Sequence, residues 1–86
     1  METLAGKTAF ITGGSTGIGL GMATTFARHD MNVVITDIRD DALTSAEQHL
    51  RQSTDRVLAL NVDSTDPEAL ANAAKAVERT FGPLHQ

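Results

Sequence analysis

Eighty-six residues, 41% of them apolar and 21% charged, are enough for one small globular domain. A formal net charge of −4 argues against nucleic acid and anionic membrane surfaces as main partners. The chain has no cysteine, which removes disulfide and thiolate chemistry; it has no membrane-length apolar run and no secretory signal at its start, so the expected location is the cytoplasm.

The elements alternate. A first strand is expected from Thr8 to Thr12, followed by the turn Gly13-Gly14-Ser15-Thr16 and a helix from Gly17 to Arg28. Ile18, Met22 and Phe26 recur at i, i+4 and i+8 along one face of that helix. A second strand is expected from Asn32 to Thr36, rich in β-branched residues. A second helix follows from Asp41 to Gln52, with Asp40 or Asp41 as its cap. A third strand is expected from Arg56 to Asn61. The third helix has the clearest signals: Asp66 as cap, Pro67 at the first helical position and Glu68 near the positive end. Leu70, Ala73, Ala74, Val77 and Phe81 form its apolar stripe, and Gly82-Pro83 stop it. Between the first helix and second strand, Asp30-Met31-Asn32 forms a turn, and aspartate tolerates the left-handed conformation better than most residues.

A βαβαβα order implies an α/β fold, a partial doubly wound parallel sheet of the Rossmann type, with right-handed crossovers and strands in the order 3-2-1. A fourth strand is expected to pair with the far side of strand one. Leu84-His85-Gln86 is too short to supply it, and a bare strand edge invites pairing. Residues 1–86 therefore read as the N-terminal, incomplete part of a Rossmann-type domain.

The chemistry sits in Thr12-Gly13-Gly14-Ser15-Thr16-Gly17-Ile18-Gly19. A strand, a glycine-rich turn and a helix in this order cradle phosphate. Gly13 suits the sharp bend, Gly17 lets the backbone approach a pyrophosphate, and Gly19 lets the helix pack closely. The helix start then offers N–H groups and its positive dipole end to the anion. Asp37 ends the second strand 18 residues after Gly19, near the spacing at which a carboxylate takes a ribose diol. The loop lacks the Gly-Lys-Ser/Thr ending of nucleoside-triphosphate hydrolases. His29, His49 and His85 are scattered and match no metal spacing.

The opening strand, the Thr-Gly-x-x-x-Gly-x-Gly spacing, Asp37, Asn61-Val62-Asp63-Ser64 and Phe81-Gly82-Pro83-Leu84 together resemble the short-chain dehydrogenase/reductase family, over nearly the whole chain. The resemblance implies an oxidoreductase that moves hydride between a nicotinamide cofactor and an alcohol or carbonyl substrate, in a parent protein that is a homo-oligomer. It assigns cofactor binding to Gly13, Ser15, Thr16, Gly17, Ile18, Gly19, Asp37, Ile38, Asp63 and Ser64. Asp63 would accept from the adenine amino group and the Ser64 N–H would serve adenine N1; the plain alternative for Asp63 is local capping of loop N–H groups.

Asp37 would repel a 2′-phosphate by about 1–4 kcal/mol at 4 Å, depending on screening. Thr16 is neutral where the family's NADP users often carry a basic residue. Both favour NAD over NADP. Arg39 has three readings: a 2′-phosphate contact, a stack on adenine, or a solvated charge paired with Asp40 or Asp41. The family's catalytic Tyr-x-x-x-Lys has no counterpart, since the chain has no tyrosine and its lysines are Lys7 and Lys75, so no catalytic residue is assigned. The chain alone is expected to bind dinucleotide without catalysing. The alternative is a natural short nucleotide-binding or interaction module.

Overall fold

Asn32 to Asp37 is buried at every position, and this follows from its place in the sheet. The computed structural model describes residues 6–15 and 17–82. Its elements run β1 (Thr8–Thr12), α1 (Gly17–Arg28), β2 (Asn32–Asp37), α2 (Asp40–Arg51), β3 (Val57–Asn61) and α3 (Pro67–Phe81). β2 is central in the order β1-β2-β3, with both pairings parallel. A strand covered on both faces reads as a continuous apolar run, and Val33-Val34-Ile35 is such a run, with all three side chains fully buried. Each contributes about 1.5–3 kcal/mol by leaving water.

Side chains alternate across a strand, so Val33, Ile35 and Asp37 share one face with their register partners Ala9, Ile11, Val57, Ala59 and Asn61. Ala23 and Ala27 of α1 and Leu43, Ala46 and Leu50 of α2 join Ile11, Val33, Ile35 and Val57 in one core. The periodic stripe of α1 is not its buried face. Ile18 and Met22 are exposed, and Phe26 is half-buried against the core edge. The helix meets the sheet through the two alanines instead, because small side chains allow close approach.

α3 buries Ala73 and Val77, with Leu70, Ala74 and Phe81 half-buried. Its expected start is present: the Asp66 carboxylate accepts from the N–H groups of Glu68 at 3.0 Å and Ala69 at 3.3 Å. Gly82 closes it with a positive φ of 87°. α2 differs from expectation. Its cap is Arg39, which makes no side-chain capping bond, and Asp40 is already helical. The Asp40 carboxylate accepts instead from the Asn61 amide. Asp30 does adopt the left-handed conformation, with φ 60°. Its N–H donates to Ala27 O and the Met31 N–H to Phe26 O, the paired bonds of a Schellman ending. Among the described residues, no helix is long and apolar enough to cross a membrane.

Candidate dinucleotide site

The C-terminal ends of β1 and β2 lie side by side, Thr12 opposite Thr36, and the glycine turn leaves the sheet there. The turn is pinned to β2, since the Gly14 N–H donates to Thr36 O at 3.1 Å. Gly13 and Gly17 have φ of 65° and 59°, a region where a Cβ is strained. Gly19 is required for space: a Cβ there would lie 2.5 Å from Gly13 O. Gly14 is required too, because its Cβ would lie 2.7 Å from Cγ2 of Ile35. Sequence reasoning assigned no role to Gly14. The available signal was its position beside a glycine already fixed by the turn, facing the most buried strand.

The start of α1 carries N–H groups that have no acceptor within the helix. Its first turn has no acidic residue, whereas α2 begins with Asp40 and Asp41 and α3 with Glu68. Among the described helices, α1 alone offers its positive end without a competing carboxylate. Ile18, 85% exposed, stands at this end. Thr16, with its expected cofactor contact, and His85 lie outside the described residues.

Asp37 is the electrostatic centre of the site. It is only 7% exposed and, among the described residues, its carboxylate accepts from five donors. Oδ1 takes the N–H groups of Ile38 at 2.8 Å and Arg39 at 3.2 Å, and Arg39 Nε at 3.2 Å. Oδ2 takes the hydroxyl of Ser15 and Arg39 Nη2, the latter at 3.2 Å. The side-chain bonds from Arg39 and then Ser15 hold the carboxyl well below the usual carboxylate range, outweighing the opposing effect of burial. The same pairing raises the Arg39 guanidinium. Arg39 therefore pairs with Asp37, and the charge of Asp41 adds a weaker attraction. Ser15, buried at 4% exposure, joins the turn to Asp37 through its hydroxyl.

The β3 loop reaches the same end of the sheet. The Val62 N–H donates to Asp37 O at 3.1 Å, and Val62 is buried. Asp63 and Ser64 are exposed beyond it. Asp63 Oδ1 accepts from the Thr65 N–H at 2.9 Å and the Thr65 hydroxyl at 2.6 Å, and these bonds lower its pKa. Local capping is thus one role of Asp63. Ile38, 64% exposed, stands between this loop and Asp37 in the chain. The turn, Asp37, Ile38 and the Asp63-Ser64 loop are together at one sheet end, while His29 and His49 are exposed on other elements. Among the described residues, no group of three metal-ligating side chains is present.

A parallel α/β sheet with a glycine turn and an acid at the adjoining strand end defines a Rossmann-type nucleotide fold. The chain matches the family model described as short chain dehydrogenase over residues 7–86 and belongs to that family. It is 40% identical over 84 residues to the oxidoreductase UcpA of Escherichia coli strain K12, an alignment covering 98% of this chain and 32% of UcpA. Among solved structures, it resembles a short chain dehydrogenase/reductase from Burkholderia phymatum in complex with NAD, with TM-score 0.92 and 29% identity, over 99% of this chain and 30% of that one. It also resembles L-sorbose reductase from Gluconobacter frateurii complexed with NADPH and L-sorbose, with TM-score 0.88 and 35% identity, over 98% and 33% of the two chains. The chain spans less than a third of the length of the curated relatives it matches.

Proposed function

We propose that residues 1–86 form the N-terminal cofactor-binding part of an oxidoreductase that moves hydride between a nicotinamide dinucleotide and an alcohol or carbonyl substrate, with NAD preferred to NADP. The observation that carries this reading is the ionised Asp37 carboxylate fixed beside the glycine turn by the Ser15 hydroxyl. The residues fit the cofactor: Gly14 and Gly19 let the turn close tightly against Ile35 and the start of α1, the space above Gly13 and Gly17 is open, and α1 presents an anion-receptive start.

When bound, the nicotinamide supplies hydride acceptance or donation. The residues of this chain bind and orient the dinucleotide. The N–H groups of Gly17 to Gly19 receive the pyrophosphate, Asp37 receives the adenosine ribose, and Ile38, Asp63 and Ser64 flank the adenine. Asp37 favours the diol because a 2′-phosphate would bring like charge to a buried carboxylate. The solved relatives include both an NAD complex and an NADPH complex, so this preference rests on Asp37 and on the neutral residue at Thr16. The substrate hydroxyl proton needs a group tuned toward neutral pH, and the chain has no tyrosine to serve; its share is cofactor binding.

The test is calorimetric titration of the chain with NAD and NADP, beside Gly17→Val and Asp37→Ala. The expected result is NAD binding that Gly17→Val abolishes, and an NAD preference that Asp37→Ala erodes. Undiminished binding by Gly17→Val would show that the turn is not the cradle.

A further inference from the structure

The Asp37 carboxylate is already full. A carboxylate offers about four lone-pair sites, and five donors occupy this one. Three are built into the fold: the Ile38 and Arg39 amides belong to the backbone, and the Ser15 hydroxyl is buried. The other two, Nε and Nη2 of Arg39, belong to a side chain that is 55% exposed. They form a fork, with Nε on Oδ1 and Nη2 on Oδ2, each at 3.2 Å. A ribose 2′,3′-diol would present the same pattern, two O–H donors to two carboxylate oxygens. Nη2 also reaches the Ser15 hydroxyl at 3.4 Å, so the guanidinium bridges the strand end and the turn where the ribose would enter.

Building on the dinucleotide reading above, we propose that Arg39 is a latch on the ribose site: its guanidinium holds the place of the diol on Asp37 and must swing out when a dinucleotide binds. The destination differs between cofactors. With NAD the guanidinium gives up its carboxylate and moves toward solvent, a cost set against the two ribose bonds. With NADP it turns to the 2′-phosphate, a charge-assisted partner for the same fork. Arg39 thus weakens NAD binding, supports NADP binding, and narrows the preference that Asp37 creates. The Arg39 side chain makes no capping bond to α2, so its replacement leaves the helix start intact.

Titration of the chain with NAD and NADP, comparing wild type with Arg39→Met and Arg39→Lys, tests this. Arg39→Met is expected to bind NAD about twofold to fivefold more tightly, the worth of a half-exposed ion pair, and to bind NADP several-fold more weakly. General electrostatics predicts the opposite sign for NAD, because the substitution removes a cation beside an anionic ligand. Arg39→Lys, which keeps the charge without the fork, is expected to fall between the two for NAD. NAD affinity unchanged or weakened in Arg39→Met, with wild type still binding, overturns the latch and leaves the cofactor site standing. Absence of dinucleotide binding in every variant, with folding retained by circular dichroism, overturns the cofactor reading and the latch with it.

Discussion

Two side chains of β2 set the balance of stability and binding at the residue scale. Asp37 ionises more readily in the folded chain than in an unfolded one. Its bonds therefore stabilise the fold above the ordinary carboxylate range near pH 4, and that contribution is lost as pH falls through the lower folded-state value. Chemical unfolding followed between pH 7 and pH 2 is expected to show a larger loss of stability in wild type than in Asp37→Asn. Parallel losses would mean that the carboxylate is not held as described. Thr36, one residue earlier, faces the opposite side of the sheet. Its hydroxyl is buried and has no hydrogen-bond partner among the described residues. Thr36→Val keeps the β-branched shape and removes the unpaired group, so thermal unfolding is expected to show a gain of about 1–2 kcal/mol; a loss would reveal a partner for that hydroxyl.

At the scale of elements, the helix ends were largely legible in the sequence because capping chemistry is local. Asp66-Pro67-Glu68 needs no tertiary contact to mark a start, and α3 begins there. Asp66→Ala is expected to cost about 1 kcal/mol, read from the urea midpoint. At the α1 ending, Asp30 occupies a left-handed position. Asp30→Gly is expected to stabilise by up to about 1 kcal/mol, because the exposed Arg56–Asp30 ion pair at 3.4 Å is worth little, and the Arg56 bond to the Asp30 backbone oxygen at 3.0 Å does not need the side chain. A lower melting temperature would assign more to that pair. Other features were not legible. The α2 cap depends on where Asp37 turns its carboxylate, 3.2 Å from the Arg39 N–H, and no spacing rule reports that. The apolar periodicity of α1 marked Ile18 and Met22, yet close packing selected Ala23 and Ala27.

For the whole molecule, the order of strands and helices was readable because periodicity and turn residues alternate cleanly, and parallel β1-β2-β3 pairing follows from the helical crossover between each pair of strands. The site was readable in outline: the glycine spacing and Asp37 carry a mechanism in their sequence separation. What joins them was not. The Ser15–Asp37 bond spans 22 residues and exists only because β2 brings its end against the turn; the Arg39 fork spans 2, but no spacing rule reports it. Gly14 likewise has its reason in Ile35, 21 positions away in the chain and 2.7 Å from a Cβ built on it. Whether this sheet end binds dinucleotide is decided by a two-dimensional amide NMR titration of the 9.1 kDa chain with NAD. Saturable shifts are expected at Gly14, Gly17 to Gly19, Ile38, Arg39 and Val62 to Ser64, with α3 beyond its first turn unmoved. Shifts centred on other elements, or none at millimolar NAD in a folded chain, would contradict the dinucleotide reading.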